Sequence, residues 1–312
     1  MRDATKPWWG PFGSPYVLLV LTYVCWAGNT VFARGVAGEV PPMHLSFWRW
    51  TVALLVLLPF GWKVMWAQRA IYREYAWRLL FVSITGITAF NSLIYHAVQF
   101  TTAIHASLLT ATIPAAGVVL SYLVYRDTIK LRTALGMAAA FVGVVVIIGH
   151  GDVRVLLGLA FNKGDLLALG AVIAWAAYSV ALKGMPKTLD SIGFLLATMI
   201  IGLVFITPLY LREVFAGETM LVSLGNVVGI VYLSVFASVL GFVFFTKGLA
   251  MVGPNVANQF NYLSPVFSGA LAILLLGEQQ EWFHAAGLVL ILFGVWCATS
   301  RRAAKAGPPK AA

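Results

Sequence analysis

The sequence predicts an all-α integral membrane protein of ten transmembrane helices in two inverted five-helix repeats, and three observations predict it. First, the 312-residue chain is 61% hydrophobic and only 10% charged, against roughly 45–50% and 25% in soluble proteins. Surface of that kind needs the bilayer as its solvent. Second, the two halves repeat. Trp26-Ala27 falls on Trp175-Ala176 and Arg34-Gly35 on Lys183-Gly184 at an offset of 149. Pro114 falls on Pro265, Asp127 on Glu278, Gly136 on Gly287 and Gly143 on Gly294 at an offset of 151. Third, the basic residues concentrate in alternate loops. Two copies that each cross the membrane an odd number of times must sit upside down to one another, the pattern of alternating-access carriers.

Spans of about 20 apolar residues fall at 16–34, 43–62, 77–99, 102–124, 131–149, 165–183, 191–211, 225–248, 255–276 and 282–300. The run beginning at Tyr16 is too long for a cleavable signal and lacks a small-residue exit. The first span presents Trp26, Asn29 and Thr30, matched in the sixth by Trp175, Tyr178 and Ser179. The second holds Arg49 about seven residues in, near 10 Å deep at 1.5 Å per residue. In the third, Asn91, Tyr95 and Gln99 recur every four residues as one polar stripe with His96 beside it. The third and fourth spans must part at a tight turn over Gln99-Phe100-Thr101-Thr102. Its repeat partner, Val252-Gly253-Pro254-Asn255, has the turn chemistry that supports the break. The ninth span carries Asn258, Asn261 and Tyr262 next to Pro265. Gly136 and Gly143 in the fifth, and Gly287 and Gly294 in the tenth, share a helix face suited to close packing. The domains are then 1–150, the first repeat; 151–302, the second and inverted one; and 303–312, a disordered cytoplasmic tail.

On this span map, sixteen of the 21 Lys and Arg lie on the side of the termini; only Arg34, Arg154, Lys163 and Arg212 lie on the other, and Arg49 lies within a span. Both termini are therefore expected in the cytoplasm. The +10 charge is spread over short loops and the tail, which argues against a nucleic-acid partner. Cys25 and Cys297 have no metal-ligand spacing. The five histidines, His44, His96, His105, His150 and His284, are dispersed. No phosphate loop, H-E-x-x-H, G-x-S-x-G or in-span acidic pair occurs, which argues against an enzyme, an ATP-driven pump, a metal site or any cofactor. The expected partners are a small-molecule substrate and the lipid bilayer, and the chain is compatible with a monomer.

Trp26-x-x-Asn29, Pro42 followed seven residues later by Arg49, the acids at helix ends, and Pro265…Gly277-Glu278…Gly287…Gly294 together resemble the EamA-type drug/metabolite transporter superfamily from about Tyr16 to Thr299. Within it the chain looks most like the YddG-type exporters of aromatic and neutral amino acids. The resemblance implies a basket-like bundle around a central cavity, with spans five and ten as peripheral supports, in a bacterial cytoplasmic membrane. The first copy departs from the pattern, with Arg126-Asp127 where the second has Gly277-Glu278.

Polar side chains in hydrocarbon face protein or a wet cavity. The substrate-binding candidates are therefore Trp26, Asn29, Asn91, Tyr95, His96, Trp175, Tyr178, Ser179, Asn258, Asn261 and Tyr262. His96 and Lys247 occupy equivalent positions and are candidate gates at opposite mouths. Pro114 and Pro265, each removing a bond to the carbonyl four residues earlier (Thr110 and Asn261), are candidate hinges. Arg49 either holds a substrate carboxylate or pairs with Glu39 and snorkels outward, the second reading being favoured. Asp127 and Glu278 are suited to capping the helices that follow them. All acids fall outside span centres, so facilitated transport is expected, with His96 as the fallback proton-coupling residue. An aromatic, amide-rich, charge-poor cavity suits a small neutral or zwitterionic molecule such as an aromatic amino acid or methionine. A nucleotide-sugar or phosphorylated metabolite would need several cations, and a drug carrier or channel is the remaining alternative.

Overall fold

The computed structural model describes residues 13–126, 131–152, 154, 162–186, 188–252, 257 and 260–299. In chain order the helices are α1 (Pro15–Gly35), α2 (Pro42–Ala67), the short α3 (Arg69–Glu74) and α4 (Ala76–Phe100). α5 (Ala103–Thr110), α6 (Ile113–Tyr125), α7 (Leu131–Ile148), α8 (Lys163–Leu182) and α9 (Ser191–Phe215) follow. The last are α10 (Leu224–Leu249), α11 (Leu263–Leu276) and α12 (Trp282–Thr299). Among the described residues seven helical stretches are long and apolar enough to cross a membrane, α5 and α6 counting as one. Three shorter apolar helices lie at 134–147, 263–276 and 282–294. The chain is a multi-pass membrane protein. Local chemistry places several starts: Pro15 and Pro42 open α1 and α2 where no helical N–H is needed. Asn162 and Asp190 cap α8 and α9 through Gly164, Ile192 and Gly193 N–H. The turn expected at Gln99–Thr102 is present, with Thr101 extended and the Thr102 hydroxyl accepting from His105 N–H.

The packing follows the repeat. α1 lies on α10 and α11, as its counterpart α8 lies on α4 and α6; α2 packs on α9 and α7 on α12. The end of α1 (Arg34) and the start of α8 (Asn162) both bond carbonyls at the end of α4, Val98 and Phe100. Equivalent helices therefore run in opposite directions. α7 and α12 touch chiefly each other, with Gly143 and Gly287 at the crossing. A Cβ on Gly143 would sit 2.8 Å from the Gly287 carbonyl, so glycine sets the approach of the helices.

The interior departs from regular helix at matched places. α4 contains a π-helical segment, Ser83–Ala89, and α10 another, Leu233–Leu240. Ser83 and Ser234 hydroxyls donate back to the carbonyls of Leu79 and Ile230, and the Asn91 amide donates to Gly86 and Ile87 carbonyls. Such segments carry misaligned carbonyls and cluster at functional sites. Pro114 and Pro265 do not kink continuous helices. Pro114 opens α6 after a break at Ala111-Thr112, and a 3₁₀ turn, Phe260–Tyr262, precedes the helix bearing Pro265.

All five histidines lie at one end of the bundle, where α1, α4, α7, α9 and α11 finish and α2, α5, α8, α10 and α12 begin. That end is called the histidine end below.

Candidate functional site

The central cavity is built around Arg49. Its side chain is 2% exposed, and its hydrogen bonds all go to neutral groups. Nε donates to the Ser238 hydroxyl at 2.6 Å, and Nη1 donates to Asn91 Oδ1 at 2.8 Å and to the Tyr95 hydroxyl. Tyr95 passes the polarity on, donating to Asn29 Oδ1 at 2.6 Å. The guanidinium also lies 4.7 Å from the Trp50 ring centre, a cation–π contact strengthened by desolvation. Among the described residues no carboxylate pairs with Arg49. Of its five N–H donors, the two on Nη2 remain for the cavity. A buried charge held only by neutral partners is costly.

Much of the rest of the lining is aromatic. Trp26 meets Trp175 edge-on at 5.4 Å, Phe242 packs on both, and Phe90 lies 4.7 Å from Trp175. Tyr23, Asn29, Thr30, Asn91, Ile94, Thr110, Ile113, Asn261 and Ser264 complete the lining, in which Arg49 is the one charged residue among those described. Trp26 and Trp175 are repeat equivalents in mutual contact. So are Thr110 and Asn261, the Asn261 amide donating to the Thr110 carbonyl at 2.9 Å. A residue can touch its own copy only where the pseudo-twofold axis passes, so the cavity lies on that axis. The chemistry across the axis is unequal: Asn91 faces the position of Phe242, Ile113 that of Ser264, and Arg49 that of Thr198.

Two carboxylates cap helix starts at the histidine end. One turn beyond the cavity Arg34 donates to the Val98 carbonyl at 3.0 Å and stands 3.9 Å from Glu278. Glu278 accepts from Ala103 and Ile104 N–H at the start of α5. Glu213 does the same for α2, accepting from Met43 and His44 N–H and from the His44 ring at 3.0 Å. Each is an anion on a helix N-terminus, where N–H groups and dipole both favour it.

The model of the EamA-like transporter family matches this chain twice, over residues 13–149 and 162–300. The chain belongs to the EamA-like transporter family. Its relatives include a Bacillus subtilis protein described as the uncharacterized transporter YyaM, 25% identical over 90% of this chain and 92% of its own length. An uncharacterized transporter of Archaeoglobus fulgidus is 27% identical over 92% of this chain and 98% of its own. A plant relative, WAT1-related protein At5g47470 of Arabidopsis thaliana, is 23% identical over 89% and 83%. A crystal structure covering 92% of this chain superposes with a TM-score of 0.61 at 19% identity, which speaks to fold alone.

Of the residues that sequence reasoning assigned to this transporter's site, Trp26, Asn29, Asn91, Trp175 and Asn261 line the cavity together. Tyr95 stands behind it, 1% exposed, positioning Arg49 and Asn29. Tyr178 is outside the lining: its ring covers Gly86 of the first π segment. Ser179 is half-buried and also outside the lining. Asn258 and the Tyr262 side chain lie outside the described residues, as do Asp127 and the tail 303–312. His96 is at the histidine end, its Nδ1 donating to the Ser92 carbonyl and its Nε2 3.9 Å from Glu213. Lys247 is half-buried on α10, beside Gly248, which meets Pro15 and Leu19 at the opposite end.

Two expectations are corrected. Arg49 does not pair with Glu39 or snorkel; Glu39 bonds the Asn226 amide instead, and α2 delivers Arg49 to the interior. Glu278 caps α5 rather than the helix that follows it. The Thr110 carbonyl that Pro114 leaves open accepts from the Asn261 amide, one of the readings the sequence left open. Sequence reasoning missed Tyr23, Phe90, Ile94, Thr110, Ile113, Phe242 and Ser264 as lining and Ser238 and Glu213 as partners. Projecting Asn91 by the 151-residue offset would have found Phe242; no comparable signal marks Ser264 or Glu213.

Proposed function

We propose that this protein is a secondary transporter exporting small neutral amino acids, aromatic ones and methionine among them, or closely related carboxylates. The observation that carries the reading is Arg49, a buried guanidinium without an acidic partner that faces an aromatic cavity. A single carboxylate satisfies its open Nη2 edge, and Trp26, Trp175, Phe90 and Phe242 supply contact area for an apolar side chain. One cation is too few for a phosphorylated or nucleotide-linked cargo, which needs several. The transporter comprises ten spans in two inverted five-helix repeats, 1–150 and 151–302, followed by a cytoplasmic tail at 303–312. It sits in a bacterial cytoplasmic membrane with both termini inside, and the histidine end faces outward.

Transport proceeds by alternating access around the axial cavity and is facilitative. Of the described acids buried near the site, Glu213 caps α2 and Asp165 sits in the first turn of α8, both outside the cavity lining, leaving no mid-span carboxylate relay among the described residues. Counterflow in proteoliposomes loaded with amino acids, phosphorylated sugars or cationic drugs tests the reading. Saturable counterflow by neutral amino acids is expected; uptake of cationic drugs or phosphorylated sugars alone would refute it.

A further inference from the structure

The five histidines, scattered in sequence, gather into two groups in space, and one has the makings of a metal site. His105 in the first turn of α5, His150 just past α7 and Asp165 in the first turn of α8 bring their ligand atoms within 4.8 Å of one another. We propose that these three residues bind one borderline transition-metal cation of the Zn²⁺ class at the histidine end.

Geometry and ligand type favour that ion. His105 Nδ1 and Asp165 Oδ1 stand 3.5 Å apart; two bonds of about 2.1 Å meeting at a tetrahedral angle place donors about 3.4 Å apart. Two imidazole nitrogens and one carboxylate suit zinc-like cations, whereas Ca²⁺ and Mg²⁺ prefer all-oxygen shells.

Burial supplies the independent argument. Asp165 is fully buried; Oδ1 accepts from the Thr101 hydroxyl at 2.8 Å, while Oδ2 has no partner among the described residues. A fully buried carboxylate whose charge is met only by the Thr101 hydroxyl and, at 3.5 Å, by the His105 imidazole is strongly disfavoured unless a cation balances it. His284, at the start of α12, looks onto the same cluster, its ring 4.8 Å from that of His105. Its Nδ1 accepts from Glu281 N–H, so the proton of the neutral ring is on Nε2. That N–H is buried and has no partner among the described residues, so a metal-held water in the fourth position is a candidate acceptor for it. His150 is exposed, giving an ion a way in, and Phe283 stacks on its ring at 5.3 Å and 23°.

The site is separate from the transport cavity and does not rest on the substrate assignment. It joins α5 to α8, helices from opposite repeats that also reach the cavity through Thr110 and Trp175. A bound ion therefore ties the repeats together at this end.

The test uses untagged, chelator-stripped protein in nanodiscs, titrated with Zn²⁺ by calorimetry and with Co²⁺ by visible absorption. One equivalent of Zn²⁺, tetrahedral Co²⁺ bands and a raised Tm are expected. His150→Ala, a change at an exposed residue, should weaken Zn²⁺ binding by about a hundredfold or more, since even second-shell losses cost about 10–100-fold. His96→Ala, in the other group, should leave it unchanged. Binding well below one equivalent, or equal affinities for wild type and His150→Ala, would overturn the proposal.

Discussion

Arg49→Gln separates a substrate-binding guanidinium from a structural one. The substitution removes the donors to Ser238, Asn91 and Tyr95 together with the Nη2 edge that faces the cavity. Loss of those bonds destabilises the fold, but loss of a desolvated charge offsets it. Net stability should thus move by no more than about 2 kcal/mol, and the protein should remain purifiable. For substrate, a hydrogen bond to a charged partner contributes about 1.5–3 kcal/mol, or roughly tenfold to a hundredfold in affinity. The assay is proteoliposome counterflow with an amino acid and with its decarboxylated amine. In wild type the acid should outcompete the amine by about tenfold or more; in Arg49→Gln that preference should vanish because affinity for the acid alone falls. Equal loss for acid and amine would mean that Arg49 only holds the helices, and the carboxylate argument would be refuted. Arg49→Lys keeps charge without the planar fork and should be intermediate.

Asn261→Ala should cost about 1–3 kcal/mol by orphaning the Thr110 carbonyl. Pro114→Ala, which restores an N–H four residues on, should recover part of that loss, and additive losses in a double-mutant cycle would disprove the link. Glu278→Gln weakens two charge-assisted caps on α5 and the approach of Arg34. It should raise thiol-reagent access to a cysteine placed at Thr30 from the histidine end about tenfold, and unchanged labelling would argue that these contacts do not gate. Gly143→Ala pushes a methyl against the Gly287 carbonyl and Ile291 and should lower stability by about 1–3 kcal/mol. Transport per folded molecule should be unchanged, because α7 and α12 stand away from the cavity; a transport defect at equal stability would contradict their supporting role.

What the sequence alone determined follows from forces that act on composition and on segments. Apolar content decides that the bilayer is the solvent, and the two offsets reveal the duplication. Turn chemistry parts α4 from α5, and the glycine pairs announce a tight α7–α12 crossing. The polar stripes of α1, α4 and α8 led to Trp26, Asn29, Asn91 and Trp175, because buried polar and aromatic groups must meet something. The partner of each group depended on three-dimensional packing. Arg49 could have reached outward to Glu39 by spacing alone; only the way α2 docks against α4 and α10 turns it inward to Asn91, Tyr95 and Ser238. Glu213 and Glu278 cap helices far from them in sequence, and Asn261 takes the carbonyl that Pro114 left open 151 residues earlier. The π segments and the gathering of His105 and His150 around Asp165, with His284 beside His105, are likewise visible only in the folded chain. Periodicity and hydropathy report what a segment must bury, whereas long-range contacts decide what it is buried against.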